Sequence, residues 1–99
     1  MARIWYIGDE ATAAGYRLAG AEVRVPAEAE VPEVFRLAQA AEADLILISA
    51  QSAGALSPEV LDAALTSTRP LVAVVPDAYG RHPAPDMART VRIALGIEP

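Results

Sequence analysis

The adjacent carboxylates Asp9 and Glu10 form the first cluster whose residue types could do chemistry, because paired carboxylates can hold a divalent cation. They follow a short apolar run, and open α/β sheets bind ligands at the carboxyl ends of their strands. Asp9 is also well placed to cap a following helix, whose N-terminus favours negative charge. We expect capping and solvation as the main roles of the pair, with a magnesium or ligand contact as the alternative.

Three glycines near this pair, Gly8, Gly15 and Gly20, raise the question of a phosphate-binding loop. Their spacing does not match the G-x-G-x-x-G of dinucleotide sites, and a Walker loop requires a lysine, which the sequence lacks. Structural roles are therefore favoured. Gly8 would let the chain turn off the first strand, Gly15 would let a helix lie close to the sheet, and Gly20 would end that helix in a left-handed conformation.

The remaining serine, histidine and aspartate residues form no recognisable catalytic pattern. Ser49, Ser52 and Ser57 lack a G-x-S-x-G context, and Ser57 stands where a helix cap is expected. The single histidine, His82, lies in a proline-flanked loop. Asp77 follows the fourth predicted strand, where a ligand could bind, but an ordinary loop role is favoured. The sequence predicts no catalytic residue, metal ligand or cofactor site.

The amino-acid composition further limits the classes of function that the chain could have. The net charge is −5 and all eight basic residues are arginine, so nucleic-acid binding has little electrostatic support. There is no cysteine, which excludes disulfides and thiolate chemistry. The early acidic residues do not resemble a signal peptide, and no apolar run approaches the roughly 20 residues of a membrane span. We expect a single cytoplasmic domain over residues 1–99 with no membrane insertion.

Short apolar runs alternate with amphipathic stretches along the whole chain. This alternation predicts an α/β fold with a four-stranded parallel sheet in the order 2-1-3-4 and helices on both faces, a Rossmann-like or receiver-like three-layer sandwich. The predicted strands are Arg3–Ile7, Glu22–Val25, Asp44–Ser49 and Pro70–Pro76. The predicted helices cover 11–19, 32–43, a segment starting at Ser57, and 85–95, with a small-residue loop at Gln51–Leu56.

Apolar periodicity also predicts which helix faces pack on the sheet. The expected inward residues are Ala11, Ala14, Gly15 and Leu18 in the first helix, Val31, Val34, Phe35, Ala38 and Ala41 in the second, Val60, Leu61, Ala64 and Leu65 in the third, and Met87, Val91, Ala94 and Leu95 in the last. On the last helix, Arg89 and Arg92 share an outer face beside Ile93. These three residues could dock an acidic partner, and a solvated face is the alternative.

The opening segment also carries a family resemblance. Residues 7–20, IGDEATAAGYRLAG, closely resemble the pattern I-G-D-E-x-x-x-x-G-[YF]-x-L-A-G of the F subunit of V/A-type rotary ATPases. Family members commonly have threonine-valine where this chain has Ala13 and Ala14. The resemblance continues through DLILIS at 44–49, PLVAVVP at 70–76 and VRIALGI at 91–97, in order and at the family's length.

This resemblance implies a four-stranded parallel sheet flanked by helices and a non-catalytic role without a cofactor. Such a protein would belong to the central stalk, as part of the rotor. It would bind the D subunit, which is the coiled-coil axle, with other central-stalk subunits as further candidates, and help couple ATP hydrolysis or synthesis to ion transport. It would be cytoplasmic and peripheral to the membrane. The usual family contact through the C-terminal helix would correspond here to Arg89, Arg92 and Ile93.

Two other classes remain open from the sequence. A degenerate receiver-like signalling adaptor would bind a kinase or regulator, but receivers place an aspartate where the third strand here ends in Ser49, and they also use a lysine. A small flavodoxin-like nucleotide-binding enzyme would be stabilised by its ligand, by about 2.7 kcal/mol at 100 times the dissociation constant.

Overall fold

The computed structural model describes residues 2–76, which form one parallel sheet with helices on both faces. The strands are β1 (Ile4–Ile7), β2 (Glu22–Arg24), β3 (Leu45–Ser49) and β4 (Leu71–Val75). The α-helices are α1 (Glu10–Leu18), α2 (Val31–Ala40), α3 (Ala50–Ala53) and α4 (Pro58–Leu65), and a 3₁₀ turn at Glu28–Glu30 leads into α2. The last predicted helix, 85–95, lies outside the described residues, as do Asp77 and His82.

The sheet has the order β2-β1-β3-β4, and every neighbouring pair of strands is parallel. The predicted α/β fold and strand order are therefore confirmed. Tyr6 of β1 is level with Val23 of β2 on one side and Leu47 of β3 on the other, and Leu47 is level with Ala73 of β4. These four residues form one row across the sheet.

The larger core lies on what we call the first sheet face, which carries Trp5, Ile7, Ile46, Ile48, Val72 and Val74. Residues of α2, α3 and α4 cover it, and Phe35 of α2 is 1% exposed at its centre. Both faces of β3 and β4 are apolar, as expected for central strands of a doubly covered parallel sheet. The predicted core residues of α2 are confirmed for Val31, Phe35 and Ala38.

The opposite side, the second sheet face, carries Ile4, Tyr6, Leu45, Leu47, Ala73 and Val75. The helix α1 packs here, with Ala13 fully buried and Tyr16 against the cluster. The Tyr6 and Tyr16 rings stack with centroids 4.6 Å apart and planes 17° from parallel. This contact fixes how α1 is rotated on the sheet.

The predicted inward face of α1 is wrong. Ala11, Ala14 and Gly15 are exposed, and Leu18 is 92% exposed. The helix has two apolar stripes, and the stripe containing Ala13 and the large Tyr16 ring faces the sheet. Apolar periodicity alone could not separate them, because most residues on both stripes are small.

Gly15 consequently has no packing role within the described fold. A Cβ built on it would meet no atom within 4 Å, so the glycine does not bring α1 close to the sheet. We expect Gly15→Ala to raise the free energy of unfolding by about 0.5–1 kcal/mol, since alanine is the better helix former. Urea denaturation of the isolated chain would measure this. A loss of stability would contradict the open surroundings of Gly15.

Several predicted boundaries also differ from the structure. The predicted loop at Gln51–Leu56 begins inside a short helix, α3, because Ser49 caps its first turn. The helix α2 ends at Ala40 rather than residue 43, since Glu42 adopts a left-handed φ of 59°. On α4, the predicted inward Val60 is 45% exposed, whereas Ala64 is buried as expected.

Candidate functional site

Three of the polar residues singled out from the sequence, Asp9, Ser49 and Ser52, meet at the carboxyl ends of β1 and β3. This is the point where the chain connections diverge to opposite sides of the sheet, the usual ligand position in open α/β folds. A cavity of about 130 Å³ lies here, lined by Gly8, Asp9, Ser49, Gln51 and Ser52 together with the segment after β2. The hydrogen bonds of its polar side chains show whether these groups are available for chemistry.

Asp9 is held by hydrogen bonds inside the chain. The backbone N–H of Thr12 donates to Asp9 Oδ2 at 2.9 Å, and the Tyr6 hydroxyl donates to Oδ1 at 3.1 Å. Partial burial disfavours the charged carboxylate, but these hydrogen bonds outweigh it and hold the pKa of Asp9 below its usual range. The predicted capping role of Asp9 is confirmed, and the contact with Tyr6 was not foreseen.

The same environment raises the pKa of the Tyr6 phenol instead of lowering it. Burial raises the pKa of Tyr6, and its hydrogen bond to the Asp9 carboxylate raises it further. Tyr6 is fully buried and stays neutral, donating its proton to Asp9. This arrangement positions the carboxylate for capping and leaves the phenol unsuited to act as a base at neutral pH.

Glu10 has a different partner from Asp9. Arg17, two turns along α1, donates to Glu10 Oε1 at 2.8 Å, and this hydrogen bond holds the pKa of the Glu10 carboxyl below its ordinary value. Both side chains are more than half exposed. The adjacent carboxylates are therefore committed to separate contacts, and no group of three potential metal ligands occurs within residues 2–76.

Two of the serines singled out from the sequence, Ser49 and Ser57, serve as helix caps. Ser49 is 1% exposed, and its Oγ accepts a hydrogen bond from the Ser52 N–H at 3.1 Å. The Ser57 Oγ accepts one from the Val60 N–H at 3.2 Å, which confirms the cap predicted for α4. These contacts give both oxygens a structural role at a helix start.

Gly20 ends α1 as expected from the sequence. Its φ is +94°, in the left-handed region that favours glycine. The Gly20 N–H donates to Arg17 O at 3.1 Å, and the Ala21 N–H donates to Tyr16 O at 3.0 Å. This pair of bonds is the Schellman arrangement, which satisfies carbonyls left open at a helix end.

Removal of the Asp9 carboxylate should destabilise the chain in a pH-dependent way. We expect Asp9→Ala to cost about 0.5–2 kcal/mol at pH 7 through loss of the cap. Asp9→Asn keeps a capping oxygen but loses the charge. Because the folded pKa of Asp9 lies below the unfolded value of about 3.9, its contribution is complete above that pH and is lost as pH falls through the folded pKa.

Urea denaturation at neutral and acidic pH would measure this dependence. The difference between the wild type and Asp9→Asn should shrink as the wild-type carboxylate becomes protonated. A difference that stays constant with pH would show that the charge of Asp9 contributes nothing to stability.

The first motif and all four strands fall within one family match. The model of the family described as ATP synthase (F/14-kDa) subunit matches residues 4–91. The chain belongs to this family. The resemblance of residues 7–20 to the F subunit is thereby confirmed, and the chain is a V/A-type ATPase component whose family is non-catalytic in general. A comparison with curated proteins found no match.

The predicted partner residues belong to the C-terminal part of the chain. Arg89, Arg92 and Ile93 lie outside the described residues, and the family match includes the first of them but ends before the other two. Membership of the family implies membership of an ATPase complex. A bilayer-spanning helix, which must be long and largely apolar, is not found within residues 2–76.

Proposed function

We propose that this chain is a non-catalytic central-stalk component that binds the D subunit, the coiled-coil axle, and turns with the rotor. In this position it helps couple ATP hydrolysis or synthesis to ion transport. It works on the cytoplasmic side as a peripheral part of the membrane-bound complex, with other central-stalk subunits as further contacts.

The family match over residues 4–91 is the observation that carries this proposal. The organisation of the sheet edge agrees with it. Asp9, Ser49 and Ser57 use their side chains to start helices, so these groups stiffen the fold. A protein that transmits torque needs a stiff body and a docking surface.

We place the docking surface for the axle at Arg89, Arg92 and Ile93. An arginine pair beside an aliphatic side chain combines charge recognition with apolar contact, the usual composition of an interface centre. Acidic residues on the axle would provide complementary charge, which favours association and fixes orientation.

Co-expression with the axle protein of the same organism tests both parts of this proposal. We expect a stable one-to-one complex by size-exclusion chromatography with mass determination. Arg92→Glu should weaken it by about tenfold or more, corresponding to roughly 1.4 kcal/mol, because an attractive charge contact becomes repulsive.

The matched control is Arg36→Glu, which reverses an exposed charge on α2. It should leave the affinity nearly unchanged. Equal weakening by both variants would indicate a general charge effect and remove the proposed surface. Absence of a complex at micromolar concentrations would overturn axle binding and favour a screen for small-molecule ligands.

A further inference from the structure

The solvent side of α1 is apolar, although a surface helix generally has polar residues opposite the stripe that faces the core. The residues of α1 that lie opposite its sheet-facing stripe are all exposed, and we call them the outer α1 face: Ala11, Ala14, Gly15 and Leu18. Leu18 is 92% exposed, more than any other large apolar side chain of residues 2–76. A helix that is apolar on both sides has the composition of one that is covered on both sides.

The charged residues of α1 lie along one flank of this face. Glu10 is at its N-terminal end, and Arg17 is seven residues further along on the same side of the helix. Both side chains are more than half exposed and reachable from outside the chain. The flank is therefore negative at one end and positive at the other.

The shape of the outer α1 face is complementary to itself. When two copies of α1 pack antiparallel about a two-fold axis between Ala14 and Gly15, Leu18 of one copy lies against the partner's Ala11, and Ala14 lies against the partner's Gly15. A Cβ on Gly15 would meet no atom within 4 Å, so no contact of the described fold requires the missing side chain. Small residues at the centre let two helices approach closely, with each leucine filling the space beside the partner's alanine.

The charges of the flank are complementary in the same arrangement. A two-fold axis perpendicular to the helices keeps both charged flanks on one side of the pair and reverses their direction. Glu10 of each copy then lies level with the partner's Arg17, at both ends of the contact. A parallel arrangement would instead place like charges together, so the order of the charges favours the antiparallel one.

We propose that the free chain forms a two-fold symmetric dimer in which the outer α1 faces of two copies pack antiparallel. A second copy is the occupant because it supplies the leucine, the small residues and the opposite charges at matching positions. Each copy contributes one helix of nine residues, so the interface is small and we expect a dissociation constant on the order of 10–100 µM. This goes beyond the proposed function, since it concerns the chain without other subunits.

Sedimentation equilibrium of the full chain, over concentrations from about tenfold below to tenfold above that constant, tests the dimer. Leu18→Arg should weaken it at least about tenfold and leave the free energy of unfolding nearly unchanged, because the side chain is exposed. The matched control is Leu37→Arg on α2, which should dimerise like the wild type. A monomer at every concentration, or equal weakening by both variants, would overturn the proposal.

Charge reversal tests the pairing along the flank. Glu10→Arg makes both ends of the flank positive and Arg17→Glu makes both negative, so each variant alone should dimerise more weakly than the wild type. An equal mixture of the two variants should associate at least about tenfold more tightly than either alone, because opposite charges then meet at both ends. A mixture no tighter than its components would overturn the proposed contact.

Disulfide formation between copies tests the direction of packing, and the sequence has no cysteine to interfere. Ala14→Cys should cross-link at least about tenfold faster than Ala11→Cys, because position 14 lies beside the two-fold axis and position 11 faces the partner's Leu18. Equal rates would contradict the antiparallel arrangement.

The axle protein is absent from these experiments, so their results are independent of the stalk assignment. A chain that stays monomeric, and whose complex with the axle protein is weakened by Leu18→Arg, would assign the outer α1 face to the axle. That result would overturn the dimer and leave the proposed function standing.

Discussion

Phe35→Ala should lower the free energy of unfolding by about 3–5 kcal/mol, the range typical of truncating a buried aromatic side chain. Phe35 is 1% exposed and lies among Ile7, Ile46 and Ile48 in the core of the first sheet face. Removal of the ring would lose its transfer free energy and leave a cavity that the surrounding strands could close only in part. A domain of this size has only about 5–15 kcal/mol to lose.

Leu37→Ala on the same helix is the matched control. Leu37 is 47% exposed, so truncation removes little buried surface and should cost less than about 1 kcal/mol. Urea denaturation of both variants and the wild type would give the comparison. Similar losses for Phe35 and Leu37 would contradict the packing of α2 on the sheet.

The sheet could be predicted because its determinants are local or topological. The continuous apolar run in β3 indicates burial on both faces, and short connections between alternating strands and helices require parallel pairing. Ser57 before Pro58 indicates the start of α4 from residue types alone. Residue types and connection lengths carry these signals, and the right-handed crossover rule limits the strand orders that a chain of this pattern can adopt.

The rotation of α1 on the sheet could not be predicted from the sequence. Its sheet-facing side is chosen by contacts between distant residues: Tyr16 stacks on Tyr6, and Ala13 fits close to the sheet. The stripe that faces away from the sheet, which includes Leu18, is at least as apolar as the stripe that packs on it. Since most of these helix residues are alanine or glycine, neither stripe has a strong preference until the tyrosine pair forms.

The contacts of the candidate site also differ in how far the sequence predicts them. Capping by Asp9 follows from its position before a helix, whereas its hydrogen bond to Tyr6 requires the side chain of a buried strand residue to reach it. A docking surface is harder still, because its chemistry is completed by another chain. The proposed surface at Arg89 and Arg92 therefore rests on family resemblance and charge, and its test requires the partner.

Gly8→Ala should destabilise the chain by about 2–3 kcal/mol, because the turn after β1 leaves no room for a side chain. A Cβ at this position would lie 2.7 Å from Tyr6 Cζ, 2.8 Å from Ser49 Cβ, and closer still to the Tyr6 hydroxyl. Neither neighbour can move freely. Tyr6 is fully buried, stacked on Tyr16 and hydrogen-bonded to Asp9, and Ser49 is 1% exposed.

The matched control lies in the same motif. Gly15→Ala introduces the same methyl group into open space, so the two alanine substitutions should change stability in opposite directions. A double-mutant cycle identifies the cause of the loss at Gly8. In a Tyr6→Phe background the hydroxyl contact is gone, so Gly8→Ala should cost less than in the wild type, although the contacts with the ring and Ser49 remain. Additive effects in that cycle would mean that the Tyr6 hydroxyl does not limit the space at Gly8, and that the glycine is needed for another reason.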